Sequence, residues 1–586
     1  QWTFPIFVSP HDPNTIYVGS SVLFKTTNGG DSYTAISPDL SRNDPRTLGA
    51  SGGPLTKDQT SVEYYGTVFA VAESPITRGV IWAGTDDGLV QLTRDNGRTW
   101  KNVTPPLLKT REWARISNVE ASRFNAGVAY VAANRFQMDD QEPYLFRTRD
   151  YGVTWTRIDG SGQTHGIVAT EFTRVIREDD LRPGLLYAGT ERGVWSSLDD
   201  GATWFRLQRN LPPVPVHDLV LKDGDLIAAT HGRSFWVMDD VSSLRQLTPT
   251  VLATASHIVT PRSTYRVSFQ GGGGSPDAPV GANPPAGAQV AYWLKTPARK
   301  LTMEFRDSTG RTIRSFTNDT MPAAPASAAA TPAPGRGGRG GGGGEPRVPN
   351  KAGMNTFAWD LRESDATRFE GMIFWSGGTT GPIIPPGTYT ARLIVDGGTP
   401  QDAKFVVKKD PRSTATPADL VAQYKLLIKI RDRTTDANDA VRTVRNVRTQ
   451  LDARAKDLGL DSVAFRALAN KLDARISEIE AKVYQVKNQS GQDPLNYPIR
   501  VNNQIAALSG VVGGSEARPT KQAVAVFNIL DKELEGYLVE LREAWKTLLP
   551  PVDAFLKEKG KPAIEVRTGD PATTRSTSAD ILNQNY

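Results

Sequence analysis

Four stretches near the start of the chain share one eight-residue pattern, and this pattern decides the fold. They read TTNGGDSY (26–33), TRDNGRTW (93–100), TRDYGVTW (148–155) and SLDDGATW (197–204). In each copy an Asp or Asn can accept hydrogen bonds from turn N–H groups, a glycine can adopt a positive φ, and an aromatic ring can enter the core. A pattern that recurs in this way indicates stacked copies of one supersecondary unit.

An apolar run that ends in small residues precedes each copy of the pattern. The four runs are IYVGS (16–20), IWAGT (81–85), AYVAA (129–133) and LYAGT (186–190). With the short strand-like run after each copy, every unit reads as a small antiparallel meander. Asn28, Asp95, Asp150 and Asp199 follow one another at intervals of 67, 55 and 49 residues, which is the size of a β-propeller blade. A fifth unit, 226–240, keeps the strand-like runs but lacks the pattern.

The repeated pattern resembles the Asp-box, or BNR repeat, with the consensus Ser/Thr-x-Asp-x-Gly-x-Thr-Trp. The first copy departs from it at Asn28, Ser32 and Tyr33. In Asp-box propellers the motif holds a blade together and lies away from the ligand face, so the resemblance implies a structural role for the matching residues. These are Asn28, Gly30, Asp95, Gly97, Trp100, Asp150, Gly152, Trp155, Asp199, Gly201 and Trp204.

Asp-box propellers generally close with six or more blades, so the resemblance implies that the ring is incomplete in this chain. We expect the missing blades to come from an N-terminal segment of the same precursor or from a partner chain.

Composition narrows the functional classes. A chain of 586 residues is too long for one hydrophobic core. It has no cysteine, which excludes disulfides and thiolate metal sites. The formal net charge is +6, with both signs interspersed, so the sequence predicts no nucleic-acid partner. No apolar run approaches the ~20 residues of a membrane span.

The predicted fold class is multidomain and mainly β, with helices in the C-terminal part. Short alternating strand-like runs predict a β-sandwich, and PGTYTA (386–391) resembles the closing hairpin of bacterial immunoglobulin-like modules. From Thr416, apolar residues at three- and four-residue steps predict an antiparallel four-helix bundle, which Pro550 and Pro551 should end. The predicted boundaries are a partial propeller of about five blades (1–250), a connector and Gly/Pro linker (251–286), an immunoglobulin-like sandwich (287–410) with a low-complexity insert (322–349), the bundle (411–560) and an extended tail (561–586).

Ligands of propellers usually bind at the mouth of the central channel, opposite the Asp-box turns. Counting from each repeat to the next inner strand gives Arg115, His165 and His217 comparable positions there. Loops on the same side add Arg135, Arg192 and His231, and we predict that these six residues bind a ligand. Hydrogen bonding at strand ends is the alternative role for the histidines. No metal-ligand spacing or cofactor motif is present, so neither a metal nor a cofactor is predicted.

Two functional hypotheses remain open. The order of modules resembles large exported bacterial proteins related to sortilin-type propellers and family 74 glycoside hydrolases. The resemblance implies a secreted, periplasmic or cell-surface location. The leading hypothesis is a non-enzymatic module that binds a peptide, protein or glycan and assembles through its bundle and tail, because the motifs are structural and the propeller is incomplete. The alternative is a polysaccharide hydrolase in which Asp86 or Asp140 is catalytic. Solvated turn carboxylates are the simpler interpretation of these two residues.

Overall fold

A computed structural model describes residues 3–58, 65–267, 284–319 and 346–566. Most of the insert predicted at 322–349 and of the tail predicted at 561–586, and much of the linker predicted within 251–286, lie outside the described residues. The chain divides into two compact units, Gln1–Thr250 and Val251–Tyr586. Among the described helices, none has both the length and the apolar character needed to cross a membrane.

The described residues of the first unit form five antiparallel sheets in chain order, here called blades 1 to 5. Blades 1 to 4 have four strands, each paired with the next, and blade 5 has three. This is the up-and-down topology of propeller blades, and it confirms the prediction of a mainly β, propeller-like unit. The strands are β1–β4 (Ile6–Val8, Ile16–Gly19, Leu23–Thr26, Thr34–Ala35), β5–β8 (Val68–Glu73, Ile81–Thr85, Val90–Thr93, Lys101–Asn102), β9–β12 (Arg115–Ala121, Ala129–Arg135, Asp140–Thr148, Thr156–Arg157), β13–β16 (Thr173–Glu178, Leu186–Thr190, Gly193–Ser197, Phe205–Arg206) and β17–β19 (Val216–Lys222, Asp225–Thr230, Phe235–Met238). Short helices α1 (Pro106–Thr110), α2 (Ser242–Gln246) and α3 (Pro249–Ala253) follow β8 and β19.

The four repeats form the turns between the third and fourth strands of blades 1 to 4. In blade 2, Asp95 Oδ1 accepts hydrogen bonds from the Thr99 N–H at 2.9 Å and the Thr93 hydroxyl at 2.8 Å. Gly97 has φ +90°, and a Cβ there would meet the carbonyl oxygen of Ile36 in blade 1. The turn is therefore built by its own polar groups and presses against the preceding blade.

The aromatic residue of the repeat turn ties each blade to the one before it. The indole N–H groups of Trp100, Trp155 and Trp204 donate to the carbonyl oxygens of residues 36, 103 and 158 at 2.9, 2.7 and 2.5 Å. Tyr33 departs from the expectation of a core aromatic, since it is 52% exposed. It belongs to blade 1, which has no preceding blade in the described residues.

In blades 2 to 5 the first strand lies innermost, and these strands pack together in the order β5, β9, β13 and β17. Arg177 of β13 donates to Glu120 of β9 at 2.8 Å and to Asp218 of β17 at 2.7 Å, so an ionic chain joins three inner strands. The turn after each inner strand lies beside the repeat turn; for example, the Tyr151 N–H donates to the Gly127 carbonyl. The inner strands therefore begin at the end of the blades opposite the repeat turns, and we call this end the mouth.

The second unit begins with two sheets that share one hydrophobic core. The three-stranded sheet has the order β20-β22-β25 and the five-stranded sheet the order β21-β27-β26-β23-β24, with β21 parallel to β27. Part of the predicted connector thus forms strands. The bounds are β20 (Ser256–Ile258), β21 (Thr264–Arg266), β22 (Ala288–Leu294), β23 (Leu301–Arg306), β24 (Thr312–Thr317), β25 (Gly353–Trp359), β26 (Gly387–Val395) and β27 (Gln401–Lys409).

Four longer helices complete the second unit and confirm a C-terminal helical region. They are α4 (Pro417–Asp457), α5 (Ser462–Val483), α6 (Val501–Gly513) and α7 (Lys521–Glu558). The prediction that Pro550 and Pro551 end the last helix is wrong. Helix α7 continues for two more turns because Val552 and Leu556 are fully buried in the helical core, and this packing offsets the lost backbone hydrogen bonds.

In the second unit, side chains from the helical part pack into the core of the sheets, and side chains from the β25–β26 connection pack into the helical core. Tyr424 and Ile428 of α4 pack in the core of the sheets, whereas Phe369 and Met372, from the segment between β25 and β26, pack in the helical core. The buried Glu363 carboxylate accepts hydrogen bonds from the Tyr424 hydroxyl and the Arg311 guanidinium. The two parts therefore form one compact unit.

Candidate functional site

The inner strands of blades 2 to 5 share an irregular register near their first residues. One residue is skipped by the pairing in each strand: Phe69 in β5, Ser117 in β9, Arg174 in β13 and His217 in β17. Such β-bulges re-aim side chains and are frequent beside binding sites. The mouth therefore has a repeated β-bulge. Two of the four bulged residues, Phe69 and Arg174, belong to the cluster of arginines and phenylalanines described next, and a third, His217, pairs with another histidine.

Arg115, the first residue of β9, is held between two phenyl rings. Its Cζ atom lies 5.1 Å from the ring centroid of Phe69 and 5.8 Å from that of Phe136. One terminal nitrogen donates to the Gln137 side-chain oxygen at 2.9 Å, and the buried Nε has no partner. Within the described part of the chain, no carboxylate forms an ion pair with this guanidinium. Arg115 is thus a fixed cation without a direct ion pair in the described residues, although its charge reaches the Asp86 carboxyl and favours ionisation of that group.

A second arginine continues the stack into blade 4. Arg174 lies 5.6 Å from the Phe136 ring centroid and 4.9 Å from that of Phe172, and these two rings stack at 4.9 Å. Glu191 neutralises Arg174 through two hydrogen bonds of 2.9 and 2.6 Å. We call Phe69, Arg115, Phe136, Phe172 and Arg174 the Arg–Phe ladder. It crosses blades 2, 3 and 4 at the mouth.

The ladder is followed in blade 5 by two histidines. The rings of His217 and His231 lie 4.9 Å apart between centroids. Partial burial, followed by repulsion from Arg174 and His231, lowers the pKa of His217 below its usual value. Both side chains are exposed, so the pair offers hydrogen-bonding groups to a ligand, and the lowered pKa of His217 favours the neutral form of that ring.

Asp86 and Asp87 lie in the turn after β6 and are not solvated turn residues. Asp86 Oδ1 accepts hydrogen bonds from the Gly66 and Thr67 N–H groups at 3.1 and 2.7 Å. Burial raises the pKa of Asp86 to about 6, and the neighbouring Asp87 adds to this effect. Asp87 accepts hydrogen bonds from the Thr85 hydroxyl and the Arg42 N–H. The mouth thus contains a carboxyl group that exchanges its proton near neutral pH.

The pKa of Asp140 is shifted in the opposite direction to that of Asp86. It accepts hydrogen bonds from Arg135 at 2.6 Å and from the Tyr144 hydroxyl at 2.8 Å. Burial disfavours its charge, but the hydrogen bonds from Tyr144, the Glu142 backbone and Arg135 outweigh this and lower its pKa. Asp140 is therefore held ionised in a local network, and Arg135 is engaged with it.

The remaining residues predicted for the site are dispersed. His165 has an exposed side chain, and its carbonyl oxygen accepts a hydrogen bond from the Trp204 N–H at 2.7 Å, beside the repeat turn of blade 4. It lies in the long connection from β12 to β13, where counting residues cannot fix a position. Arg192 is exposed in the turn after β14. The structure thus brings Arg115 into the ladder, pairs His217 with His231, and leaves His165 outside.

The aromatic part of the site and Arg174 were not predicted from the sequence. Phe69 and Arg174 are each the second residue of an inner strand, as is His217. An alignment of the inner strands of successive blades would have placed these three together. In the described residues, no cluster of three or more His, Asp or Glu side chains could hold a metal ion.

Comparison with known proteins gives only remote similarities. No family model and no curated protein sequence matches the chain. Among solved structures, a GH74 xyloglucanase from Xanthomonas campestris is 18% identical with a TM-score of 0.31, over 42% of this chain and 37% of its own. YCF48 bound to a D1 peptide is 16% identical with a TM-score of 0.25, over 40% of this chain and 66% of its own. The extracellular domain of a putative hybrid two-component system from B. thetaiotaomicron is 11% identical with a TM-score of 0.28, over 70% of this chain and 44% of its own.

Proposed function

We propose that this chain is an exported binding and assembly module whose propeller-like unit captures an acidic segment of a partner protein at the mouth. The observation that carries the proposal is Arg115, which is stacked between Phe69 and Phe136 without an ion pair in the described residues. An immobilised guanidinium pairs with a carboxylate at little further entropic cost. The adjacent rings and the histidine pair would contact the rest of the segment.

We also propose a more specific architecture for the two units. The first unit is taken as part of an Asp-box propeller, and the second as an immunoglobulin-like sandwich joined to a four-helix bundle. The ring would be completed by further blades, from the same precursor or a partner chain, and the bundle and tail would serve docking. Secretion to the periplasm or cell surface belongs to the same proposal.

One observation favours a second function. Asp86 has a pKa raised to about 6 by burial, and Asp140 has a lowered pKa. Two carboxyl groups whose pKa values are pushed apart suit the general acid and the ionised partner of a glycoside hydrolase. Against this, Asp140 is saturated by Arg135 and Tyr144, which leaves little capacity to act as a base or nucleophile.

The binding proposal is tested with fluorescein-labelled peptides that alternate glycine with glutamate, lysine or serine. Fluorescence polarisation should show binding of the glutamate peptide alone, weakened by salt. Arg115→Ala should weaken it by about tenfold or more, because one charge-assisted hydrogen-bonded pair is lost, and Arg115→Lys should bind with intermediate affinity. Arg98→Ala is the matched control, since Arg98 is exposed in the repeat turn of blade 2.

Two results would overturn the proposal. The first is equal affinity of wild type and Arg115→Ala, with both proteins shown to be folded by circular dichroism. The second is release of reducing ends from xyloglucan or another β-glucan that Asp86→Asn abolishes, which would establish the hydrolase instead.

A further inference from the structure

The two end blades differ from the interior blades in how their second strands are buried. In blades 2 and 4 all five residues of β6 and of β14 are buried, because a neighbouring blade covers each face. In blades 1 and 5, buried and half-buried residues alternate along β2 and along most of β18. Since successive strand residues point to opposite faces, each end blade has one covered and one uncovered face.

The uncovered face of blade 1 is apolar. Ile6 of β1 pairs with Val18 of β2, which pairs with Phe24 of β3, and Val8 pairs with Ile16. Directly paired residues share a face of the sheet. Ile6 and Val8 are 69% and 50% exposed. We call these five residues the first end face.

Blade 5 has a matching apolar face. Val220 of β17 pairs with Ile227 of β18, which pairs with Val237 of β19, and Ala229 pairs with Phe235. Val220, Phe235 and Val237 are 47%, 76% and 53% exposed. These five residues form the second end face, and Asp218 and the Lys222–Asp225 pair border it on the same side of the sheet. An exposed apolar surface with a charged border of this kind marks an interaction site.

The junctions between the interior blades show how a neighbouring blade contacts such a face. At each junction the indole N–H of a repeat turn donates to a carbonyl of the preceding blade, and the accepting residue directly follows the outermost strand of that blade: Ile36 after β4, Val103 after β8 and Ile158 after β12. Blade 1 carries the receiving turn, with Tyr33 at the aromatic position and 52% exposed. A blade that covers blade 1 therefore needs an outermost fourth strand.

The need for an outermost fourth strand distinguishes between the proteins that could cover blade 1. In the described residues blade 5 has three strands, so blade 5 of a second copy lacks the fourth strand that precedes the acceptor. We propose that the two end faces dock a propeller segment made of complete four-stranded blades, which lies between blade 5 and blade 1 and closes the ring. The inference rests on the assembly part of the proposed function and names its surfaces. It is independent of the ligand at the mouth.

The absence of cysteine makes a direct test available. Ile6→Cys and Val237→Cys probe the two end faces, where the native side chains are 69% and 53% exposed, and Leu181→Cys is the control, because Leu181 is an apolar turn residue that is also 69% exposed. The variants are produced in the source organism, and maleimide labelling is measured in the native protein. Covered positions should react roughly tenfold more slowly than the control or slower still, and all three should react equally after denaturation.

The occupant is identified with a cysteine-linked photocrosslinker and mass spectrometry. The proposal requires crosslinks to strands of a segment that carries the pattern of the repeats. Full reactivity of both end faces, crosslinks to residues 235–238 of a second copy, or crosslinks to the helical part of this chain would each overturn it. Val8→Cys and Phe235→Cys provide a second pair if the first variants do not fold. Since Arg115 is untouched, peptide binding in these variants separates failure of docking from failure of the proposed binding function.

Discussion

Replacement of Asp86 by Asn should stabilise the propeller-like unit at neutral pH. Burial raises the pKa of Asp86 from 3.8 to about 6, a shift that corresponds to roughly 3 kcal/mol at 1.36 kcal/mol per unit. Because the folded state retains the proton between pH 3.8 and about 6 while the unfolded state has lost it, the free energy of unfolding falls as pH rises through this window. Above about pH 6 the full destabilisation from the ionised, buried Asp86 is present.

Asn keeps a side-chain oxygen for the Gly66 and Thr67 N–H groups but carries no charge. Asp86→Asn should therefore be more stable than wild type by about 2–3 kcal/mol at pH 7.5, with no difference at pH 3.5. Pulsed hydrogen exchange with mass spectrometry across a urea series reports the unfolding midpoint from peptides of blade 2 alone, which avoids the contribution of the second unit.

Asp95→Asn is the control of opposite sign. Hydrogen bonds from the Thr99 hydroxyl, the Thr99 N–H and the Thr93 hydroxyl lower the pKa of Asp95 to about 2. Its contribution to stability is present above pH 3.8 and is lost as pH falls toward 2, so the variant should be less stable than wild type at pH 7. If the difference between wild type and Asp86→Asn does not change with pH, the reasoning about Asp86 is refuted.

Two further substitutions probe the contacts between blades. Trp204 is 3% exposed, and Trp204→Phe leaves the Ile158 carbonyl without its indole donor. Urea unfolding should therefore show a free energy of unfolding lower by about 1–3 kcal/mol. Tyr33→Phe should change the free energy of unfolding by less than about 0.5 kcal/mol, and equal losses in the two variants would show that the indole hydrogen bond between blades is not the cause. Arg177→Met leaves Glu120 and Asp218 unpaired and should cost roughly 2 kcal/mol. The triple variant with Glu120→Gln and Asp218→Asn should recover part of this loss, and no recovery would show that the ionic chain is not the cause.

The blades were predictable because each is a local unit. The repeat turn needs Asp or Asn, Gly and a hydroxyl residue at fixed spacing, and its hydrogen bonds span only two to four residues, as between Asp150 and Thr154. The apolar runs before the repeats likewise mark strands buried on both faces, such as β6 and β14. Patterns of this range survive in any tertiary context.

The ladder could not be predicted from local patterns because its members come from three blades. Phe136 lies in the turn after β10, Phe172 just before β13, and Phe69 in β5; only the β-bulges and the order of the blades bring their rings together. Counting residues failed at His165 for the same reason. The exchange of Tyr424 and Phe369 between the cores of the second unit is equally non-local.

The central claim is that the ligand binds at the mouth through the Arg–Phe ladder. Hydroxyl-radical footprinting of the full chain, with and without a saturating alternating glutamate–glycine peptide, tests this claim directly because it reads each aromatic ring separately. We expect reduced oxidation of Phe69, Phe136 and His217, with unchanged oxidation of the repeat-turn residues Trp100 and Trp155. Protection of the repeat turns or of the helical region, with no change at the ladder, would contradict it.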